Sequence, residues 1–292
     1  MKKLPILYVI FAGLAWGSAG LFVHVLSSHF SSLELALTRA SVSAILALLV
    51  ALFTDRKSLK VSLSQLWPLV LAGVAFFSMA SFYYMGIRHS STSTAAVILN
   101  MAPIFVMVFS TVFWGEHFTL RKGLAVAAAV IGCALVTGIV GGMVFAPVGL
   151  LYSFLSCISY ATYSISVRTA AKRGVTAATS NTYIFLIASV VACLFASPVG
   201  LIRTASGLSP WITLALVGFG AVTGFIASFL YTKAMERLPA GVVASMSAIE
   251  PLTLTVTGIV FLHDTVTVYS AIGMVLILGS VFVLSLENHE NK

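Results

Sequence analysis

Apolar runs long enough to cross a bilayer follow one another from end to end of this chain, and that recurrence rules out most folds at once. About 20 residues of helix span the hydrocarbon of a membrane. On that scale ten segments stand out, at residues 4–26, 33–53, 65–86, 92–114, 120–140, 147–169, 178–200, 210–232, 241–262 and 266–286. The loops between them are short, so no stretch of ordinary loop-and-core composition is left for a separate soluble domain. Only 8% of residues are charged and 60% are hydrophobic, against roughly 25% charged in a soluble domain. The predicted class is an all-α polytopic membrane protein whose first partner is the lipid bilayer.

A net charge of +8 raises the question of nucleic acid, but such binding needs Lys and Arg gathered on one water-facing surface. Here they punctuate the ends of apolar runs, so no nucleic-acid partner is expected. Lys2 and Lys3 resemble the start of a signal peptide, yet the run behind them has spanning length and many more follow, which reads as a first span. Ten spans place both termini on one side. With that side cytoplasmic, the inner positions hold Lys2, Lys3, Arg56, Lys57, Lys60, Arg121, Lys122, Arg168, Lys172, Arg173, Lys233, Arg237 and Lys292, 13 of the 16 Lys and Arg. Positive residues favour the cytoplasmic face. The expectation is a multi-pass protein of the cell (inner) membrane with both ends inside.

The two halves resemble each other. "NMAPIFVMVFSTVFWGE" laid over "AIEPLTLTVTGIVFLHD" aligns Pro103 with Pro251, Phe113 with Phe261 and Glu116 with Asp264 at a constant shift of 148, and the same shift places Tyr83 on Tyr231. Five spans per copy is an odd number, so the second copy enters the membrane in the opposite sense, an inverted repeat. Residues 1–140 form the first five-helix repeat, 147–286 the second, and 287–292 a short cytoplasmic tail.

Polar groups in hydrocarbon cost free energy and tend to face a bundle interior or a hydrated cavity. Tyr152, Ser156, Ser159, Tyr163 and Ser166 form a stripe at helical spacing in the sixth span. Ser247, Glu250, Thr253 and Thr257 do so in the ninth. Gly13, Gly17 and Gly20 give the first span a face that admits a close neighbour, with Trp16 and His24 nearby. Each stripe alone is compatible with helix packing; together they point to a shared central cavity.

Glu250 lies midway along its span, where a carboxylate costs about 2.5–3.5 kcal/mol on insertion scales. Pro251 frees the carbonyl of Ser247, so the Glu250 carboxyl is either a hydrogen-bond plug at a kink or a protonatable, substrate-facing group. Asn100 and Pro103 make a similar break in the fourth span without the charge, and Pro103 and Pro251 are candidate hinges. Arg39 snorkels outward, offers a positive charge to a substrate carboxylate, or pairs with Glu34 or another acid. Glu116 and Asp264 read as solvated or capping groups, and Arg88, Lys172 and Arg173 as loop charges. Cys133, Cys157 and Cys193 sit singly in apolar runs and read as small core residues. No nucleotide-binding loop, hydrolase or metal motif is present, so neither an enzyme nor a metal or other cofactor is expected.

These features resemble the drug/metabolite transporter superfamily, specifically its EamA-type ten-span proteins. The resemblance rests on "LAWGSAGLFV", "TRASVSAILALLVAL", "AAVILNMAPIFVMVFSTVFWGE" with "GLAVAAAVIGCALV", and the final stretch from Tyr231 through Leu238-Pro239, Glu250-Pro251 and Gly273. Two departures are Tyr160, where a Trp is common, and Asp264, where Glu is usual. The resemblance implies two inverted five-helix repeats around a central cavity, alternating access, and export of small metabolites such as amino acids. By that analogy the first, third, fourth, sixth, eighth and ninth spans line the cavity, while Gly123, Gly132, Gly273 and Gly279 suit close packing in the fifth and tenth. Candidate cavity residues are Trp16, Arg39, Tyr83, Asn100, Tyr160, Tyr163, Tyr231 and Glu250. The expected function is secondary active export of an amino acid or related metabolite, coupled to protons or an exchanged solute, by a monomer or homodimer. A passive channel or facilitator is the alternative.

Overall fold

The computed structural model describes residues 4–54, 56–90, 92–115, 119–136, 146–262 and 267–290. Among the described residues there are helices and turns and no strands. That is what a bilayer demands of a chain without a closed barrel, because every backbone donor must find its acceptor within the same segment. Among the described residues, seven helical stretches are long and apolar enough to cross a membrane: Leu4–Leu26, Ser32–Thr54, Leu63–His89, Thr94–Trp114, Pro147–Lys172, Pro210–Met235 and Ala240–Phe261. Two shorter apolar helices are Ala177–Ala192 and Val268–Leu284.

Several of these are interrupted, so the elements run α1 Leu4–Gly17, α2 Ala19–Leu26, α3 Ser32–Thr54, α4 Leu63–His89, α5 Thr92–Leu99, α6 Ala102–Trp114, α7 Leu120–Val136 and α8 Pro147–Lys172. Then come α9 Ala177–Ala192, α10 Pro198–Ser206, α11 Pro210–Phe219, α12 Ala227–Met235, α13 Ala240–Met246, α14 Ile249–Leu262 and α15 Val268–Glu290. Between α11 and α12 the helix widens into a π segment, Gly220–Ile226. The breaks between α5 and α6 and between α13 and α14 lie just before Pro103 and Pro251, where a ring without an N–H ends the ladder of the preceding turn.

Two boundaries and one buried position differ from the sequence expectation. The run at 178–200 ends as a helix at Ala192, because Ser197 caps a new helix that opens on Pro198, the favoured first helical residue. That short α10 buries none of its side chains. The segment expected as a tail from residue 287 continues α15 to Glu290. Cys193, expected in the core, is exposed, whereas Cys133 and Cys157 are buried as anticipated.

Packing divides the helices into two triplets. α4, α5–α6 and α8 pack on one another, and α1 packs on α12, the π segment and α14. Two further pairs, α3 with α9 and α7 with α15, flank them. Glycines set the closest approaches. A Cβ on Gly13 would strike Ile249, one on Gly17 would strike Thr253 and the carbonyl of Glu250, and one on Gly20 would strike Leu254. The glycine face that runs from α1 into α2 is therefore the bed of α14. Gly132 and Gly273 meet reciprocally, a Cβ on either falling 2.8 or 2.6 Å from the other's carbonyl oxygen, so these two are spent on the α7–α15 contact within the chain. Gly279 has nothing within 4 Å of such an atom.

Charges expected in loops are stitched to aromatic rings instead. Lys172 Nζ sits 4.6 Å from the Trp114 ring centroid and Arg173 Cζ 5.0 Å from that of Trp67. Arg173 also donates to the Ser64 carbonyl while Gln65 Nε2 donates to the Arg173 carbonyl at 2.9 Å. The start of α4 is thus clamped to the end of α8. Arg88 is exposed in the last turn of α4 rather than in a loop. Glu116 and Asp264 lie outside the described residues.

Candidate functional site

The two triplets meet over a cluster of rings. Tyr231, fully buried on α12, stands 5.1 Å from Trp16 on α1, 6.0 Å from Tyr163 and 6.4 Å from Tyr160 on α8, measured between centroids. Phe76 of α4 extends the cluster, 5.7 Å from Tyr163, and the Arg39 guanidinium lies over Phe76 at 5.1 Å. A cation over an aromatic face is held by the ring quadrupole, more strongly where water is excluded.

Hydroxyl bonds fix the rings, and the directions follow from one proton per hydroxyl. Ser247 Oγ donates to the Ala244 carbonyl at 2.6 Å, so the Tyr160 hydroxyl donates to Ser247 Oγ at 2.8 Å. Ser164 Oγ donates to the Tyr160 carbonyl at 3.0 Å, so the Tyr231 hydroxyl donates to Ser164 Oγ at 2.8 Å. The Tyr163 hydroxyl lies beside Thr232 and Ser228 without hydrogen-bond geometry to either.

Arg39 does not snorkel and does not pair with Glu34. The Glu34 carboxylate accepts from the backbone N–H and the hydroxyl of Ser31 at 2.8 Å each, closing the first turn of α3. The Arg39 backbone and Cγ lie against the π segment while its guanidinium turns to α4. A Cβ on Gly224 would lie 2.9 Å from the Arg39 carbonyl oxygen and 3.0 Å from its Cγ, and Ser43 Oγ donates to the Gly220 carbonyl at 3.2 Å. The small void beside the guanidinium, lined by Ala36, Ala40, Phe77, Ala80, Tyr84 and Ala188, has room for about one water molecule.

At the α13–α14 break the carbonyl freed by Pro251 is satisfied by a backbone donor: Glu250 N–H reaches Ser247 O at 2.9 Å. The carboxyl is therefore not a plug. It makes no hydrogen bond among the described residues. Buried donors without acceptors stand around the same centre, Trp16 Nε1 and Arg39 Nε, each an unmet demand worth about 1–3 kcal/mol.

Of the sequence candidates, Trp16, Tyr160, Tyr163 and Tyr231 thus converge in one cluster, which Arg39 joins through Phe76. Glu250 is tied to it only by its backbone, through Ser247, the partner of Tyr160, and the ring nearest Tyr83 is that of Tyr84, 6.1 Å away. Asn100 spends its amide on the Ala96 carbonyl at 2.9 Å, at the α5–α6 break. The polar stripe of α8 divides: Ser156 donates to the Met79 carbonyl at 2.8 Å and Tyr152 stacks on Phe82, both against α4. On α14, Thr253 packs on Gly17, and His24 is exposed on α2. Phe76, Tyr84 and Ser164 were missed. Tyr84 adjoins Tyr83, and nothing in an apolar helix told which of two neighbouring tyrosines faces inward. Among the described residues no cluster of His, Cys, Asp and Glu could hold a metal ion.

The sequence model of the EamA-like transporter family matches residues 3–138 and again 147–286. The chain belongs to the EamA-like transporter family. Its relatives include the uncharacterized transporter YwfM of Bacillus subtilis, 24% identical over 98% of this chain and 95% of that one. Another is YcxC of the same organism, also an uncharacterized transporter, 27% identical over 94% of this chain and 88% of its own length. A solved crystal structure covering the whole of both chains has a TM-score of 0.81 at 20% identity, a shared fold. This EamA-like protein is accordingly a multi-pass membrane transporter and not an enzyme.

Proposed function

We propose that this chain is a secondary active transporter that exports an amino acid or a related small metabolite by alternating access. The observation that carries the reading is the pair of unmet Arg39 and Trp16 donors at an aromatic cluster shared by two helix triplets. Glu250, whose carboxyl has no hydrogen-bond partner among the described residues, stands at the start of α14 where that helix lies on the glycines of α1. A zwitterion complements that set, its carboxylate meeting the donors and its ammonium meeting Glu250 and the ring faces. The polar groups of such a metabolite would satisfy what the chain leaves unmade.

In this reading ten helices cross the membrane, 1–140 and 147–286 are inverted repeats, and both termini face the cytoplasm of the inner membrane. Pairings that recur when the halves are exchanged support it. α4 with α8 answers to α12 with α1, α6 with α8 to α14 with α1, and α9 with α4 to α3 with the π segment. Pro103 and Pro251, each beside a helix break, are the hinges.

Glu250→Gln in sealed vesicles tests the coupling role. The variant is expected to exchange labelled amino acid across the membrane but to lose accumulation driven by a proton gradient by at least about tenfold, the kinetic equivalent of one lost charge-assisted bond. Full proton-driven accumulation by the variant would remove Glu250 from coupling. Counterflow without any accumulation in the parent protein would favour the facilitator.

A further inference from the structure

Tyr160, Ser164 and Arg168 stand at four-residue steps on one line of α8, and each reaches across to the other triplet. Tyr160 bonds Ser247 at the α13–α14 break, Ser164 accepts from Tyr231 on α12, and Arg168 Nη1 donates to the carbonyl of Met235 in the last turn of α12. Alongside this line Met107 of α6 packs onto Gly241 near the start of α13. The bonds that tie α8 to its own triplet, such as Ser156 to Met79, lie elsewhere on the helix.

We propose that this line is a gate: a hydrogen-bonded seam that closes the path from the central cluster to the end of the molecule where α8 and α12 finish, with Arg168 as its outermost closure. The inference rests on the transporter reading. Its chemistry suits a joint that must open and shut. Hydrogen bonds across a seam are exchanged for bonds to water at small net cost, so the open and closed forms stay close in free energy, as two-state elements require. Arg168 differs from the other two members in bonding a main-chain carbonyl, which remains an acceptor whatever side chain Met235 is given.

The seam offers its own lock. A Cβ on Gly241 would lie 3.5 Å from that of Met107, within the roughly 3.5–4.5 Å that a disulfide spans between its Cβ atoms. With Cys133, Cys157 and Cys193 replaced by alanine, a Met107→Cys and Gly241→Cys pair is expected to oxidise readily. Spin labels at Lys172→Cys and Arg237→Cys, attached after that oxidation, then report the separation of the two triplets at this end in lipid vesicles. The unstapled parent should show one dominant short distance. Ser164→Ala with Arg168→Met should raise a longer-distance population, each lost bond shifting the ratio about fivefold. Oxidising the staple in that variant should restore the short distance, which a misfolded protein would not do.

Three results would overturn the gate: distances unmoved by the double variant, a long distance that persists with the staple closed, or a staple that fails to form in the parent. None of these bears on ligand binding by the parent protein, so the transporter reading stands or falls separately.

Discussion

Tyr231→Ala is expected to cost about 3–5 kcal/mol of stability, the usual range for removing a fully enclosed aromatic side chain, and to abolish transport. Tyr231 is 0% exposed and is the ring that Trp16, Tyr160 and Tyr163 share. Its removal leaves a void at the junction of both triplets and strips Ser164 of its donor. Tyr231→Phe separates the two effects. The ring contacts remain, one hydrogen bond is lost, and the cost should fall to about 1 kcal/mol. Thermal unfolding in detergent alongside transport in vesicles checks both variants. A Tyr231→Ala protein that unfolds within about 0.5 kcal/mol of the parent would show that the cluster is not a packed unit.

Gly17→Leu should be among the most damaging of the glycine substitutions. The first added atom already meets Thr253 and the main-chain carbonyl of Glu250, and a carbonyl cannot move aside as a side-chain tip can. Overpacking of this kind costs about 1–3 kcal/mol or more, and here it also pushes the α14 start, and with it Glu250, away from α1. The expected result is loss of monodisperse protein on size-exclusion chromatography. Gly279→Ala supplies the contrast, since nothing lies within 4 Å of the added atom, and its effect should stay within about 0.5 kcal/mol.

The features that could be read from the chain are those carried by period and by residues with one dominant physical role. The glycine face of α1 and α2 was legible because three small residues at helical spacing have little purpose except close approach, and α14 duly lies on it. The breaks were legible at Pro103 and Pro251 because proline removes a donor wherever it sits. The end of α9 was not, since Ser197-Pro198 restarts a helix inside a run that still looks apolar. The π segment was equally hidden, as "GAVTGFI" has the composition of any span. It is tertiary contact, with Arg39 and Ser43 of α3 lying against Gly224 and Gly220, that accompanies the widened turn. Lys172 and Arg173 were misplaced for a related reason. Their partners, Trp114 and Trp67, are remote in sequence, and a charge at a span end carries no mark of whether it meets water or a ring.

The site shows the same division. Glu250 announces itself by its cost in hydrocarbon, but its role turned on where one backbone bond goes. The Glu250 N–H takes the Ser247 carbonyl, which leaves the carboxyl without the structural task that would have explained it. Tyr160 and Ser164 emerged as bridging residues only once the second triplet was seen opposite them. Neither belongs to the stripe that periodicity picked out, which lies largely against α4.

Thermal stabilisation of the purified protein across a panel of amino acids and related metabolites tests most directly whether the buried cluster is a substrate site. A ligand at a hundred times its dissociation constant stabilises the folded form by about 2.7 kcal/mol. A zwitterion should raise the melting temperature of the parent, and the rise should vanish in Arg39→Met and Trp16→Phe, which remove the two unmet donors. A panel in which no zwitterion stabilises the parent, or in which the rise survives both substitutions, would contradict the assignment of this centre as the place where substrate binds.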